Sequence, residues 1–185
     1  MSSILDSFRL DGKTALVTGA SRGLGAAISS ALAESGADVA IVDMGPLAET
    51  EAHIKSLGRK CIAIQANLSN REVIPGVIAQ AQKQFGHVDI LVNNAGIIRR
   101  EDFEKFTEKD WDDVMAVNIN AVFFLSQCFV REVLARKGRG ALDQPVAELW
   151  RYGKAQGAGL LAGADPGWRP SDPHQQFGSD CSGGA

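Results

Sequence analysis

Two stretches of this 185-residue sequence hold residue types at spacings that could do chemistry. The first is TGASRGLG at residues 18–25, which follows a short apolar run. Gly19 allows a tight turn, Gly23 lets backbone N–H groups approach a bound pyrophosphate, and Gly25 permits close helix packing. Ser21, Arg22 and Leu24 lie between them, and a helix starting here would add its positive dipole end to the same anion site. Asp43 ends the next apolar run, where a carboxylate can accept a hydrogen bond from a ribose 2′-hydroxyl. That acid favours NAD, because it would repel the extra phosphate of NADP. Arg22 argues the other way, since it could pair with that phosphate. The second stretch is WRYGKAQG at residues 150–157, with Tyr152 and Lys154. A lysine ammonium beside a phenol favours the phenolate and makes the pair an acid/base couple. Here the two residues are two apart. On a helix, positions i and i+2 point to different sides, and Gly153 between them weakens any helix. The spacing therefore argues against a catalytic pair.

The elements that must position these residues alternate along the first 140 residues. TALVTG (14–19), DVAIVD (38–43), KCIAIQAN (60–67) and HVDILVNNAG (87–96) read as strands. LGAAISSALAESG (24–36), LAETEAHIKSLG (47–58) and NREVIPGVIAQAQKQFG (70–86) read as helices, the last starting near Pro75 and Gly76. Several of the strand runs are continuously apolar, as expected of strands covered on both faces by helices. The pattern predicts an α/β fold with a Rossmann-type doubly wound parallel sheet. A long helix follows over 107–137, opened by a capping-box-like Thr107 and Asp110. Its apolar residues cover more than one stripe, which fits either a well-buried core helix or one shared with a second subunit.

After Gly140 the composition changes. Residues 141–185 contain a single β-branched residue, Val146, and four prolines. The sheet is therefore expected to end after the fourth strand and the long helix. The chain divides into a dinucleotide-binding domain over 1–140 and an irregular tail over 141–185. A shifted reading frame or a truncated gene would account for so abrupt a change.

TGxxxGxG at Gly19, Gly23 and Gly25, NNAG at 93–96 and VNIN at 117–120, in this order, resemble the short-chain dehydrogenase/reductase family. The resemblance covers about residues 8–140. Within the family the segment 89–127 is most similar to sugar-acid dehydrogenases of the 2-deoxy-D-gluconate 3-dehydrogenase type, with gluconate 5-dehydrogenases as near relatives. It implies hydride transfer between nicotinamide and a secondary alcohol or ketone. It implies that Asn67 and Leu68 meet the adenine, the Asn67 amide bonding the adenine amino group. Asn93, Asn94, Ala95 and Gly96 would line the cofactor and steady the sheet, and Asn118 would hold a water in a proton relay. Arg99 and Arg100 could meet a substrate carboxylate or lie in a solvated loop. The family also uses a Ser and a Tyr-x-x-x-Lys pair, which this sequence does not match past Ser126. An inactive nucleotide-binding fragment is thus the alternative to an active dehydrogenase.

Composition narrows the partners. A net charge of −3 gives no reason to expect nucleic acid. No uninterrupted apolar run is long enough to suggest a membrane span, and the N-terminus does not read as a secretory signal. Cys61, Cys128 and Cys181 are far apart, as in free thiols of a cytoplasmic protein. The expected partners are a small-molecule substrate and a second copy through the 107–137 helix.

Overall fold

The computed structural model describes Ile4 and residues 8–143. Five strands form one parallel sheet: β1 (Thr14–Thr18), β2 (Asp38–Asp43), β3 (Cys61–Gln65), β4 (Ile90–Val92) and β5 (Ala141–Asp143). Their order is β3-β2-β1-β4-β5. Helices α1 (Gly23–Glu34), α2 (Ala48–Ser56) and α3 (Ile74–Phe85) connect the first four strands. The chain builds outward from β1 to β3, then crosses back to place β4 on the other side of β1. That reversal opens a crevice at the C-terminal ends of β1 and β4.

The continuous apolar runs are explained by two cores. Leu16, Ala40, Val42, Ile64 and Leu91 face α3 and the later helices, packing on Val77, Ile78, Leu125 and Phe129. Their neighbours Val17, Val39, Ile41 and Val92 face the opposite layer, with Ala33 of α1 and Ile54 of α2. Successive residues thus serve opposite faces, and every residue of β1 is buried. Leu16, Ile41, Ile54, Leu91 and Leu125 are fully buried, each worth roughly 1.5–3 kcal/mol of transfer free energy. Helix α3 starts where Pro75 predicts, with Pro75 in its first turn. Asn70 caps the short 3₁₀ turn before it by accepting from Glu72 N at 3.0 Å.

The long helix is present but not uniform. It consists of α4 (Glu108–Met115), a π-helical segment over Ala116–Ala121 and α5 (Val122–Ala135). Thr107 accepts from Asp110 N at 3.1 Å. The Asp110 carboxylate takes the Thr107 hydroxyl instead of reaching back to a backbone N–H. By length and hydropathy Glu108–Ala135 could cross a membrane. Here Val122, Leu125, Phe129 and Val133 are buried, the last three packing in one core with the sheet's Leu16 and Leu91. It is a core helix of the α/β layers.

The sheet does not end at its fourth strand. Ala141, Leu142 and Asp143 pair in parallel with Ile90, Leu91 and Val92. The expected boundary at 140 therefore falls one residue before a strand. Composition missed it because so short a strand is selected by an existing edge rather than by β propensity. The end of α5 aims the chain there: Arg136 donates to Val88 O at 2.8 Å and to Arg139 O at 3.1 Å. A Cβ on Gly140 would lie 2.7 Å from Phe129 and 2.9 Å from Val133, so this close return needs a glycine.

Candidate functional site

The glycine loop turns from β1 into α1 at the crevice. Gly19 and Gly23 have φ of +68° and +59°, a region where side chains are strained. A Cβ on Gly19 would stand 2.8 Å from Ala95 Cα, whereas one on Gly23 would meet nothing within 4 Å. Gly19 is therefore closed by the protein and Gly23 faces open space. Gly25 is closed too, since its Cβ would fall 2.0 Å from Gly19 O. Helix α1 starts behind an extended Arg22, with no side-chain cap and no acid in its first turn. Its positive end is left for an anion, and Ser21, Arg22 and Leu24 border it, with Arg22 and Leu24 exposed. An open glycine at an uncapped helix start fits a dinucleotide pyrophosphate.

Asp43 lies beside this loop at the end of β2. Its carboxylate accepts from Ser21 N at 3.0 Å and Gly45 N at 2.9 Å. Burial acts to raise its pKa. The backbone N–H groups of Gly45 and Ser21, the Ser21 hydroxyl and Met44 N–H outweigh it and hold the carboxyl below its ordinary value. The acid is thus ionised and still has lone pairs for a ribose hydroxyl. Thr50 of α2 donates to Ala20 O at 3.0 Å and ties the loop to the next helix. Leu68 is buried, and Asn67 is exposed. Asn67 Oδ1 already accepts from Ser69 N at 3.1 Å and Ser69 Oγ at 2.8 Å. The amide oxygen expected to receive an adenine amino group is occupied, and the atom left to face outward is the donor Nδ2. It suits a ring nitrogen better than an amino group.

Across the crevice, the NNAG segment is bound to the glycine loop by Thr18. Its Oγ accepts from Asn94 N at 3.1 Å and Ala95 N at 3.0 Å, and donates to Val92 O at 3.3 Å. Asn94 Nδ2 donates back to Thr18 O at 3.0 Å and Gly19 O at 3.1 Å. The Asn94 amide hydrogens hold the loop that forms the cradle. Asn93 is buried and donates to Ser126 Oγ at 3.3 Å. Its Oδ1 has no hydrogen-bond partner among the described residues. Gly96 lies against Asn118, where a Cβ would be 3.5 Å from Asn118 Oδ1.

Asn118 sits in the π-helical segment. Its Oδ1 accepts from Ile97 N and its Nδ2 donates to Ile97 O, both at 2.9 Å. The side chain is anchored to the strand-end backbone through one bond from each end of its amide. A π turn carries an extra residue, which leaves backbone carbonyl capacity that an α turn would consume.

The two arginines beyond Ile98 part company. Arg99 reaches Asp110 and Asp113 of α4, each at 3.5 Å, so its charge is met by two carboxylates. Arg100 is exposed and makes no ion pair among the described residues. Cys61 is buried, and burial with the nearby Glu51 charge pushes its thiol up to about 12, which excludes a thiolate nucleophile. Tyr152 and Lys154 lie outside the described residues. Thr18 and Thr50 escaped the sequence reading. Thr18 ends an apolar run beside the loop, and that position was the one available signal; nothing local marks Thr50.

The family model described as short chain dehydrogenase matches residues 13–142. The chain is 44% identical to the 2-dehydro-3-deoxy-D-gluconate 5-dehydrogenase of Escherichia coli (strain K12), over 75% of this chain and 55% of that protein. It is similar to a solved structure from Agrobacterium tumefaciens, named for 2-deoxy-D-gluconate 3-dehydrogenase and holding NADP. That match has a TM-score of 0.67 and 41% identity, and covers 73% of this chain and 53% of the other. Carveol dehydrogenase from Mycobacterium avium, in complex with NAD, is also similar, with a TM-score of 0.68 and 29% identity over 72% and 54% of the two chains. The chain spans about half the length of the curated relatives it matches.

Proposed function

The chain belongs to the short chain dehydrogenase family, and from that premise we propose that it binds NAD, or NADP, in the crevice between β1 and β4. The reaction we assign is hydride exchange with a secondary alcohol or ketone of a sugar acid. The observation that carries the reading is the open space at Gly23 beside an uncapped, acid-free start of α1, with Asp43 ionised next to it. Ser21, Arg22, Gly23, Leu24 and Gly25 cradle the pyrophosphate, and Asp43 accepts from the adenosine ribose. Its negative charge favours NAD; Arg22, exposed and without an ion pair among the described residues, is the group that would accept the NADP phosphate. Leu68 and Asn67 border the adenine, and Ala95 and Gly96 line the middle of the crevice. When bound, the nicotinamide supplies the hydride acceptor or donor.

On the substrate side, Asn118 is held in place by Ile97 at both ends of its amide and offers the backbone carbonyl of the π turn to a water. Arg100, rather than the doubly paired Arg99, is the partner for a substrate carboxylate. The sugar-acid assignment draws on the 44% identity to the Escherichia coli enzyme. A second reading, a nucleotide-binding module without turnover, has its own support. The only tyrosine of the chain is Tyr152, set two residues from Lys154, so no described residue supplies a phenol. Titrating NADH and NADPH against the purified chain by fluorescence, then assaying 2-deoxygluconate and gluconate oxidation with NAD, separates the readings. Binding with turnover supports the dehydrogenase, binding without turnover supports the module, and no binding of either nucleotide overturns both.

A further inference from the structure

A cavity of about 220 Å³ lies away from the glycine loop, between the start of α3 and the π-helical segment. Leu68, Ile74 and Ala121 are buried and form its apolar floor, and Phe124 is a half-buried wall. Arg71 and Asn120 are exposed and stand at its mouth. The Arg71 guanidinium carbon sits 4.1 Å from the centre of the Phe124 ring. Stacking of this kind uses the face of the guanidinium and leaves its in-plane N–H donors available. Arg71 makes no ion pair among the described residues, although Glu72 follows it in sequence. An unpaired cation, oriented by an aromatic ring over an apolar floor, complements an anion that carries an apolar body.

We propose that this cavity binds a small organic monocarboxylate, its apolar body against Leu68, Ile74 and Phe124 and its carboxylate on Arg71. The site shares Leu68 with the proposed adenine position, but its test needs neither nucleotide nor turnover, so it stands or falls apart from the function proposed above. Both halves of the ligand are required. The carboxylate alone would remain in water, where an exposed ion pair gains little. The body alone would forgo the ion pair with Arg71, whose donors would stay with water. Three of the six π-segment residues, Ala116, Asn120 and Ala121, line the cavity. A ligand there touches the same turn that presents Asn118.

The test uses ¹H–¹⁵N spectra of the full chain titrated with benzoate, with benzamide as the uncharged match and acetate as the carboxylate without a body. Saturable shifts are expected at the Asn120 side-chain amide, Ala121 and Phe124, with benzamide about threefold to fivefold weaker and acetate at least about tenfold weaker. Arg71→Gln should weaken benzoate by about threefold to fivefold. Because Arg71 is exposed, that variant should keep the wild-type spectrum elsewhere. Asn120→Asp, which puts a negative charge at the mouth, should weaken benzoate as well. Equal binding of benzoate and benzamide, unchanged affinity in Arg71→Gln, or shifts that never saturate would each overturn the proposal. So would protection of Phe124 by self-association at the concentrations used, since a second copy would then be the occupant.

Discussion

The two ends of the parallel sheet each place an acid at the edge of the core, Asp89 just before β4 and Asp43 at the end of β2, and they use it in opposite ways. At the N-terminal end, Asp89 has a side chain 7% exposed and is surrounded by protein. It accepts from Thr14 N at 3.1 Å and pairs with His87 at 3.1 Å, Arg136 at 3.3 Å and Lys13 at 3.9 Å. Arg136 in turn reaches Glu132 at 3.2 Å and the backbone that leads into β5. At the C-terminal end, Asp43 takes the Gly45 N–H of its own loop and the Ser21 N–H of the glycine loop, while among the described residues Arg22 makes no ion pair and the start of α1 has no acid. Charge at the N-terminal end is consumed in joining α5 to the sheet. Charge at the C-terminal end is arranged but left open. In a parallel sheet the helix N-termini gather at the C-terminal ends of the strands, so only that end has donors to spare.

The contrast can be broken most sharply at Asp89. Asp89→Ala removes one side of a buried charge cluster and strands Arg136, and should cost about 3–5 kcal/mol in urea unfolding. NADH affinity of the folded fraction should stay within about twofold; a parallel loss of affinity would show that the two ends are not separate. Gly25→Ala is the opposite test. Its Cβ would overlap Gly19 O at 2.0 Å, so the loop must move. A stability loss of about 2–3 kcal/mol is expected together with loss of detectable NADH binding. Retained binding would place the nucleotide elsewhere.

Thr18→Val probes the clamp between the two sides of the crevice. It leaves the Asn94 and Ala95 N–H groups without their acceptor and should cost about 1–3 kcal/mol. NADH binding should weaken as well, because the glycine loop loses its hold on NNAG. A stability loss with normal binding would make Thr18 a core residue only. The smallest effect belongs to Asp43→Asn. NADH affinity should fall roughly tenfold relative to NADPH, as the repulsion of the second phosphate disappears. The folded carboxyl has a lowered pKa, so its contribution is present above the unfolded pKa and is lost as pH falls through the folded value. Melting temperature should therefore drop more steeply below about pH 4 in the parent than in Asp43→Asn. Parallel pH profiles would remove the argument that Asp43 is held ionised.

Much of the frame was legible because burial on both faces leaves a mark in sequence. Leu16 and Val17 are adjacent, both apolar and both buried, and that pairing identifies a covered parallel strand. Gly19, Gly23, Gly25 and Asp43 were legible for a similar reason, since backbone shape and charge restrict residue type. Residues that act through partners distant in sequence were harder to read. The Asn94 amide donates to Thr18 O and Gly19 O, 76 and 75 residues back in the chain, and nothing local in the sequence marks that role. Arg99 and Arg100 are adjacent and identical in type, and only the approach of Asp110 and Asp113 separates them. The π turn around Asn118 has no local signature, because Ile97 lies 21 residues back.

By itself, the sequence determined the α/β alternation, the glycine loop with its acid, and the mismatch of Tyr152 with Lys154. All of these depend on spacing within a few residues or on residue type alone. Tertiary structure decided that a fifth strand forms at Ala141–Asp143, that Gly23 is open while Gly19 and Gly25 are closed, and which carboxylate and which arginine are already used. Those outcomes depend on which groups meet across the sheet. A hydrogen bond or ion pair between distant residues satisfies both partners at once, and only the folded arrangement distinguishes a satisfied group from one left for a ligand.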